Sequence, residues 1–469
     1  MTAIAVLGAG LTGLTTAVLL ARDGHHVTVL ERDPAEPPAT AEEQWAHWDR
    51  PGVSQFRLPH IMLARWRAVM EHEAPDVVAE VERLGGLRLS SVETLPTSVT
   101  GGLRPGDEQL QGMAARRPVV EGALAAVAAR TPRLTVRRGV TATALVTDGR
   151  GAVPHVTGVV TGAGETVEAG LVVDAMGRRS ALADLLARAG ARQPLEERED
   201  HGFAYYGRYF RTPDGARPPV SYTFRHFESV SLLVIPADAG VWAWVLVVAA
   251  DDRPVRALRE NDVWDRVLAL MPGTAEARAS GVPMTDVQVM SGLQDRRRSL
   301  VVEGEPVATG VVAVGDAWAS TNPSLGRGST MGLAHACILR DVLRAAGSAA
   351  PGEFARCFAE ATASGIGGLF EATRGYDRHR LAEVAADIAG VPYRPEGDAW
   401  PRLSAFDAAA QVDPDALRAF RLVAELLASA EEALAVPGLE AKIARIGGST
   451  PRYPVDGPSR AALLAALGE

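Results

Sequence analysis

The sequence predicts an α/β protein: a Rossmann-like parallel-sheet domain, an inserted substrate domain on a mixed or antiparallel sheet, and a helical C-terminal region. Three stretches carry that prediction. Ile4-Ala5-Val6-Leu7 is an unbroken apolar run that leads straight into Gly8-Ala9-Gly10-Leu11-Thr12-Gly13 and an Ala/Leu-rich helix. Residues from Gly202 to Met290 collect aromatic side chains in alternating segments. Val311-Val312-Ala313-Val314-Gly315-Asp316 repeats the strand-then-turn pattern ahead of a second long helix.

The first stretch reads as a complete unit. An apolar run without polar interruption suits a strand buried on both faces. The glycines then serve a tight turn, an open backbone for a pyrophosphate and close helix–strand packing. Leu14 to Asp23 reads as the helix, whose N-terminal amides and dipole favour phosphate charge. Gly24 ends it, Val27-Thr28-Val29-Leu30 is a second strand, and Glu31-Arg32 stands at its tip. Glu31 follows Gly13 at close to the roughly 20-residue spacing of a ribose-binding carboxylate. A dinucleotide site is the reading.

The bulk numbers fit a globular enzyme of two lobes with an appendage. The chain has 469 residues, 47% hydrophobic and 22% charged. A net charge of −9 argues against nucleic-acid or anionic-membrane partners. Cys337 and Cys357 make no metal or disulfide framework; they read as buried thiols in a reducing compartment. No targeting segment or membrane span is read, because Gly8 to Gly13 interrupts the N-terminal run and Ala239 to Ala250 is too short to cross a bilayer. The expected location is cytoplasmic. Of 48 basic residues only Lys442 is a lysine, so the rest of the chain has no lysine for catalysis.

After Glu31, residues 33–43 read as loop, and Arg50-Pro51-Gly52-Val53-Ser54-Gln55 leads to a helix expected over 60–73. Arg50 could reach a diphosphate at the first turn, since a guanidinium fork suits phosphate oxygens. His60 reads first as a capping or packing residue. Arg116-Arg117-Pro118 opens a helix to about Arg130, followed by strands near 134–136, 140–146, 156–160 and 171–174, and Ser180 could cap the next helix. The aromatic region, with Phe203, Tyr205, Tyr206, Tyr209, Phe210, Trp242 and Trp244 among its rings, suggests a broad antiparallel sheet roofing an apolar pocket. In the last signal, Asp316 suits a polyol hydroxyl, and Gly326 and Gly328 admit a flat ring near a helix N-terminus. Beyond Leu343 the chain reads as helical, with loops over 391–403 and 451–458. The expected boundaries are 1–200 with 291–345, 201–290 and 346–469.

Together these motifs resemble the FAD-dependent oxygenases of the p-hydroxybenzoate hydroxylase superfamily. The Arg50-to-His60 segment is similar to the squalene-epoxidase-like and polyether-epoxidase branch. The resemblance implies FAD held by Gly8, Gly10, Leu11, Thr12, Gly13, Glu31, Arg32, Arg50, Arg117, Asp316, Pro323, Gly326, Gly328 and Ser329. It implies a monooxygenase that uses a flavin C4a-(hydro)peroxide and O2 to hydroxylate or epoxidise an apolar metabolite. Electrons would come from NAD(P)H or a separate flavin reductase, because only one GxGxxG unit is present. Such chemistry is the cofactor's, and no side-chain base is required; Tyr206, Arg208 and His60 are the polar candidates if one acts. The middle motif departs from the hydroxylases: Asp174 is followed by Ala175-Met176-Gly177, as in halogenase and geranylgeranyl-reductase relatives. The halogenase lysine is missing, so the enzyme alternative is a flavin dehydrogenase or ene-reductase. A flavin-binding structural or regulatory protein is the rival outside catalysis.

Overall fold

The computed structural model describes residues 1–200, 202–347 and 349–469; the expected boundary at His201 lies outside the described residues. Its centre is a five-stranded parallel sheet in the order Val311–Ala313, Leu171–Asp174, β1 (Ala3–Leu7), β2 (His26–Glu31), Leu134–Arg138. Parallel pairing sets Leu7 beside Leu30 and Asp174, so the turn after β1, Glu31 and Asp174 meet along one edge of the sheet. One face is covered by α1 (Leu11–Arg22) and the Arg117–Arg130 and Gly328–Ala346 helices, through Val6, Leu14, Val29, Val120 and Leu333. The other face carries a meander, Ala142–Thr147, Val156–Thr161 and Thr166–Glu168, packed through Leu7, Val159 and Val172. Burial on both faces explains why β1 lacks alternation.

The aromatic region is an antiparallel sheet in the order Thr223–Phe227, Val230–Pro236, Val241–Ala249, Phe203–Arg211, Val282–Pro283, with Gln288–Met290 also pairing to Phe203–Arg211. All nine residues of Val241–Ala249 are buried. Its outer face packs Tyr206, Phe210, Trp242 and Trp244 beneath the Asn261–Leu268 and Arg460–Leu467 helices. Its inner face packs Phe203, Tyr205, Leu233 and Val245 against Ile61, Leu63 and Leu426. Leu195–Asp200 and Gln294–Ser299 pair in a separate sheet that joins the two lobes near the expected boundaries.

Beyond Ala346, the Pro351–Thr362 helix passes through one π-helical turn, Ala363–Gly367, into Gly368–Ala389, and a small bundle follows. Several expectations shift. α2 (Ala41–His47) starts inside the expected loop, because Thr40 and Glu43 form a capping box. The helix expected from His60 begins at Ala64, since Met62 bridges to Met113 and His60 is held by the backbone of Leu58. The Ala399–Ala410 helix begins inside the expected 391–403 loop. Cys357 is exposed and Cys337 half-buried, so neither is the buried thiol expected. Ser180 does accept the Leu182 amide while donating to buried Asp174. No helix among the described residues is long and apolar enough to cross a membrane.

Candidate functional site

The edge of the parallel sheet gathers the first and third motifs. Gly8 turns at φ +104, where a Cβ would lie 2.7 Å from the Ala175 carbonyl oxygen. At Gly10, the N-cap of α1, a Cβ would meet nothing within 4 Å. No side chain caps α1 and no acid lies in its first turn, so no side-chain cap competes for its leading amides among the described residues. Thr12 fills the place that side chains at Gly315 and Gly332 would need. This contact draws α1, the Gly315-Asp316 turn and the Gly328–Ala346 helix together.

Behind the turn, Glu31 is buried and accepts from the Ala9 amide (2.7 Å) and the Asp33 amide (2.9 Å). Arg50 lies in a cage of acids: Nη2 to Glu31 at 2.6 Å, Nε to Asp33 at 3.2 Å and Nη1 to Glu121 at 2.5 Å. Nη1 also donates to the Ala9 carbonyl at 3.1 Å. Burial opposes the Arg50 charge, but Glu121, Glu31 and Asp33 outweigh it and hold its pKa above the ordinary guanidinium value. All three of its nitrogens are therefore engaged inside the protein, and what Arg50 does in this arrangement is brace the turn that was expected to use it on phosphate. Arg32 is exposed and donates to the Gly52 carbonyl at 3.0 Å.

The second motif closes the other end. Arg117 donates from Nε to Glu121 at 2.7 Å and from Nη1 to His60 Nε2 at 3.2 Å. His60 Nδ1 donates to the Leu58 carbonyl at 2.8 Å, leaving its ring without a spare lone pair. Burial and the Arg117 charge push His60 down to about 3. Next to it, Ile61 sits against Gly326, which turns at φ +65 after the Pro323–Leu325 turn, and Ser329 Oγ is 3.5 Å from the Ile61 carbonyl. Asp316 is half-buried beside the start of the following helix, with its Oδ1 4.0 Å from where a Gly328 Cβ would be. A glycine turn uncapped by any side chain among the described residues, an acid at the tip of β2, and an acid–glycine corner on a second helix N-terminus fit the diphosphate, ribose and ribityl parts of FAD.

Residues 3–337 match the sequence family described as FAD dependent oxidoreductase. The chain belongs to that family. It is also similar to protein Rv3254 of Mycobacterium tuberculosis, 33% identical over 202 residues, a match that spans 42% of each chain. In fold it is similar to PqsL of Pseudomonas aeruginosa, described as a probable FAD-dependent monooxygenase (TM-score 0.57, 17% identity, 82% of this chain and 96% of that one). A flavoprotein/dehydrogenase from Cytophaga hutchinsonii shares the fold as well (TM-score 0.63, 15% identity, 95% and 98% covered).

Two candidates of this FAD-dependent oxidoreductase lie elsewhere. Tyr206 packs on the outer face of the aromatic sheet, and Arg208, also outward, pairs with Asp265 at 3.0 Å and the Thr285 carbonyl at 2.8 Å. The physical reason is strand parity: side chains of even number on Phe203–Arg211 face away from the flavin domain. Tyr205 faces inward instead. Its hydroxyl donates to Asn322 and meets Ser324 Oγ at 2.7 Å, and Asn322 donates to Asp377 at 2.9 Å. That network clamps the Pro323 turn to the second lobe. Arg327 caps the next helix with its Nε buried and without an acceptor among the described residues, while Nη1 donates to Thr373 at 3.0 Å. Burial lowers its pKa. Its place between Gly326 and Gly328 was the available sequence signal.

His335 positions the Asp316 turn. Its Nδ1 accepts the Gly315 amide at 3.1 Å, and its Nε2 donates to Thr362 at 3.1 Å. Burial drops its pKa to about 3. A histidine held neutral contributes stability that is complete above its unfolded pKa near 6.5 and is lost as pH falls toward the folded value. The stability advantage of the natural chain over His335→Gln is therefore expected to shrink by about 1.4 kcal/mol per pH unit between pH 6 and 4. Urea unfolding of both proteins at pH 6, 5 and 4 measures it; a constant difference would refute the neutral assignment.

Proposed function

We propose that this FAD-dependent oxidoreductase is a monooxygenase that hydroxylates or epoxidises an apolar small molecule, with electrons from NAD(P)H or a separate flavin reductase. What supports the reading is the apolar cluster beside the Gly326 corner, where Phe203, Leu233 and Val245 of the second lobe, with Leu293, pack against Ile61 and Leu63. Bound FAD would supply the redox chemistry, activating O2 when reduced. The chain's part is to hold, charge-match and dry the site. Amides from Gly10 to Gly13 would take the diphosphate, Glu31 the ribose and Asp316 the ribityl hydroxyls. The N-terminus of the Gly328–Ala346 helix and the Arg327 cation would supply positive potential to bound FAD. The apolar cluster would keep water from this corner and border the substrate. His60 is spent on Arg117 and Leu58, so no general base is assigned to it.

Two measurements test this. In Gly10→Asp the new side chain has room, but it places a carboxylate where the diphosphate is expected. FAD affinity should fall about 100-fold, a loss of about 2.7 kcal/mol, with melting of the FAD-free protein unchanged; flavin fluorescence titration reads it, and retained affinity would move FAD elsewhere. For the reaction, turnover under 18O2 should put one labelled atom into product. Substrate turnover without oxygen would instead establish the dehydrogenase or ene-reductase alternative.

A further inference from the structure

One polar side chain at the Gly326 corner has no partner. Tyr222 directly precedes the Thr223–Phe227 strand, and strand parity turns it, like Phe224, to the inner face of the aromatic sheet. Both rings pack against the cluster that contains Ile61, Leu63 and Leu233. The adjacent Ser221 hydroxyl donates to the Thr94 carbonyl at 3.0 Å, which ties down this end of the strand. The Tyr222 hydroxyl lies 3.9 Å from where a Gly326 Cβ would be, a position that Ile61 and Leu63 also border. Unlike the hydroxyl of Tyr205, which Asn322 and Ser324 hold, it makes no hydrogen bond among the described residues.

Tyr222 is half-buried, so part of its surface stays open, yet the protein around it is dense enough that burial pushes its pKa up. Glu425, whose carboxylate accepts the Ala64 amide at 2.8 Å, raises it further, and Arg421 and Arg327 oppose the rise without cancelling it. The hydroxyl therefore keeps its proton and is a donor. His60, one residue before Ile61, and Arg327, one residue after Gly326, show the same combination of partial cover and a pKa shifted by burial. Three such side chains around one glycine describe the lining of a cleft. Of the three, His60 is engaged with Arg117 and Leu58, and Arg327 donates to Thr373. Tyr222 alone is uncommitted. Water satisfies a hydroxyl in an open cleft, whereas a wholly apolar ligand would displace that water and leave the donor bare.

We infer that Tyr222 is a substrate-positioning residue, donating a hydrogen bond to an acceptor oxygen, a carbonyl or a hydroxyl, on an otherwise apolar substrate. The inference rests on the reading of this corner as the substrate's and narrows it. A site built to hydrogen-bond an oxygen rejects the analogue lacking it far more strongly than an apolar pocket discriminates by size. The oxygen end of the substrate then lies at Gly326, with its apolar body against the cluster of Ile61, Leu63 and Leu233.

The experiment titrates the FAD-loaded protein with 2-naphthol, 2-acetonaphthone and the hydrocarbon 2-ethylnaphthalene, followed by the absorbance of the bound flavin. Tyr222→Phe should weaken the oxygen-bearing probes about tenfold and leave the hydrocarbon unchanged. FAD affinity and melting temperature should stay within error, because the hydroxyl has no protein partner to lose. The probe that loses more affinity tells whether a hydroxyl or a carbonyl is preferred. Tyr206→Phe, on the outer face, should alter none of the three. Oxygen probes that bind Tyr222→Phe as tightly as the natural chain overturn the proposal. So do equal losses for the hydrocarbon, or no binding by either oxygen probe. These are equilibrium measurements, so a turnover result that overturned the monooxygenase reading would leave them standing.

Discussion

Gly13→Ala is expected to leave no folded protein. A Cβ at Gly13 would overlap the Gly8 carbonyl oxygen and stand 3.3 Å from the Ala175 side chain. The obstacle is backbone, so no rotamer change relieves it. α1 cannot retreat either, because every residue from Gly13 to Ala21 is buried. Overpacking a tight core typically costs about 1–3 kcal/mol, and more where the backbone is the obstacle; native proteins hold only about 5–15 kcal/mol in all. Circular dichroism and flavin fluorescence should show an unfolded or aggregated chain. Gly10→Ala is the control, since that position is open, and it should fold and bind FAD. A Gly13→Ala protein that melts like the natural chain would refute the packing of this turn.

Glu121→Ala carries the second largest effect, a loss of about 3–5 kcal/mol. The Glu121 side chain is fully buried and accepts from both Arg50 and Arg117. Without it Arg50 keeps Glu31 and Asp33, but Arg117 is left with neutral His60. An uncompensated buried cation is the costly species. The loss should appear in urea unfolding at pH 7, together with weaker FAD binding as the Arg50 brace on the first turn loosens. Glu121→Gln retains the volume and should fall between the two proteins. Equal stability of Glu121→Ala and the natural chain would mean that the pairings are not formed in solution.

The sequence signals differed in reach. The first unit was legible because strand, glycine turn, helix, strand and acid are consecutive, and each glycine's requirement is met within that stretch or by close packing onto it. Val241–Ala249 was legible as a buried strand from its apolar run, yet the sequence could not say which side of Phe203–Arg211 faces the flavin lobe. Both faces are covered, so the alternation that marks an outer face is missing, and nothing in the strand marks the candidate Tyr206 as facing outward. Glu121 carried a signal that went unused: an acid in an otherwise apolar helix, four residues after an arginine. Thr40 and Glu43 carried another, the capping box that starts α2 inside an expected loop.

By itself, the sequence determined the α/β class, the glycine turn after β1 and the order of the three motifs, because each is written in consecutive residues. Tertiary structure alone decided that Arg50 braces the turn among Glu31, Asp33 and Glu121, and that Tyr205 rather than Tyr206 reaches the Pro323 loop. These pairings join residues brought together only when strands and helices pack, and a charge or amide declares its partner only once burial has taken water away.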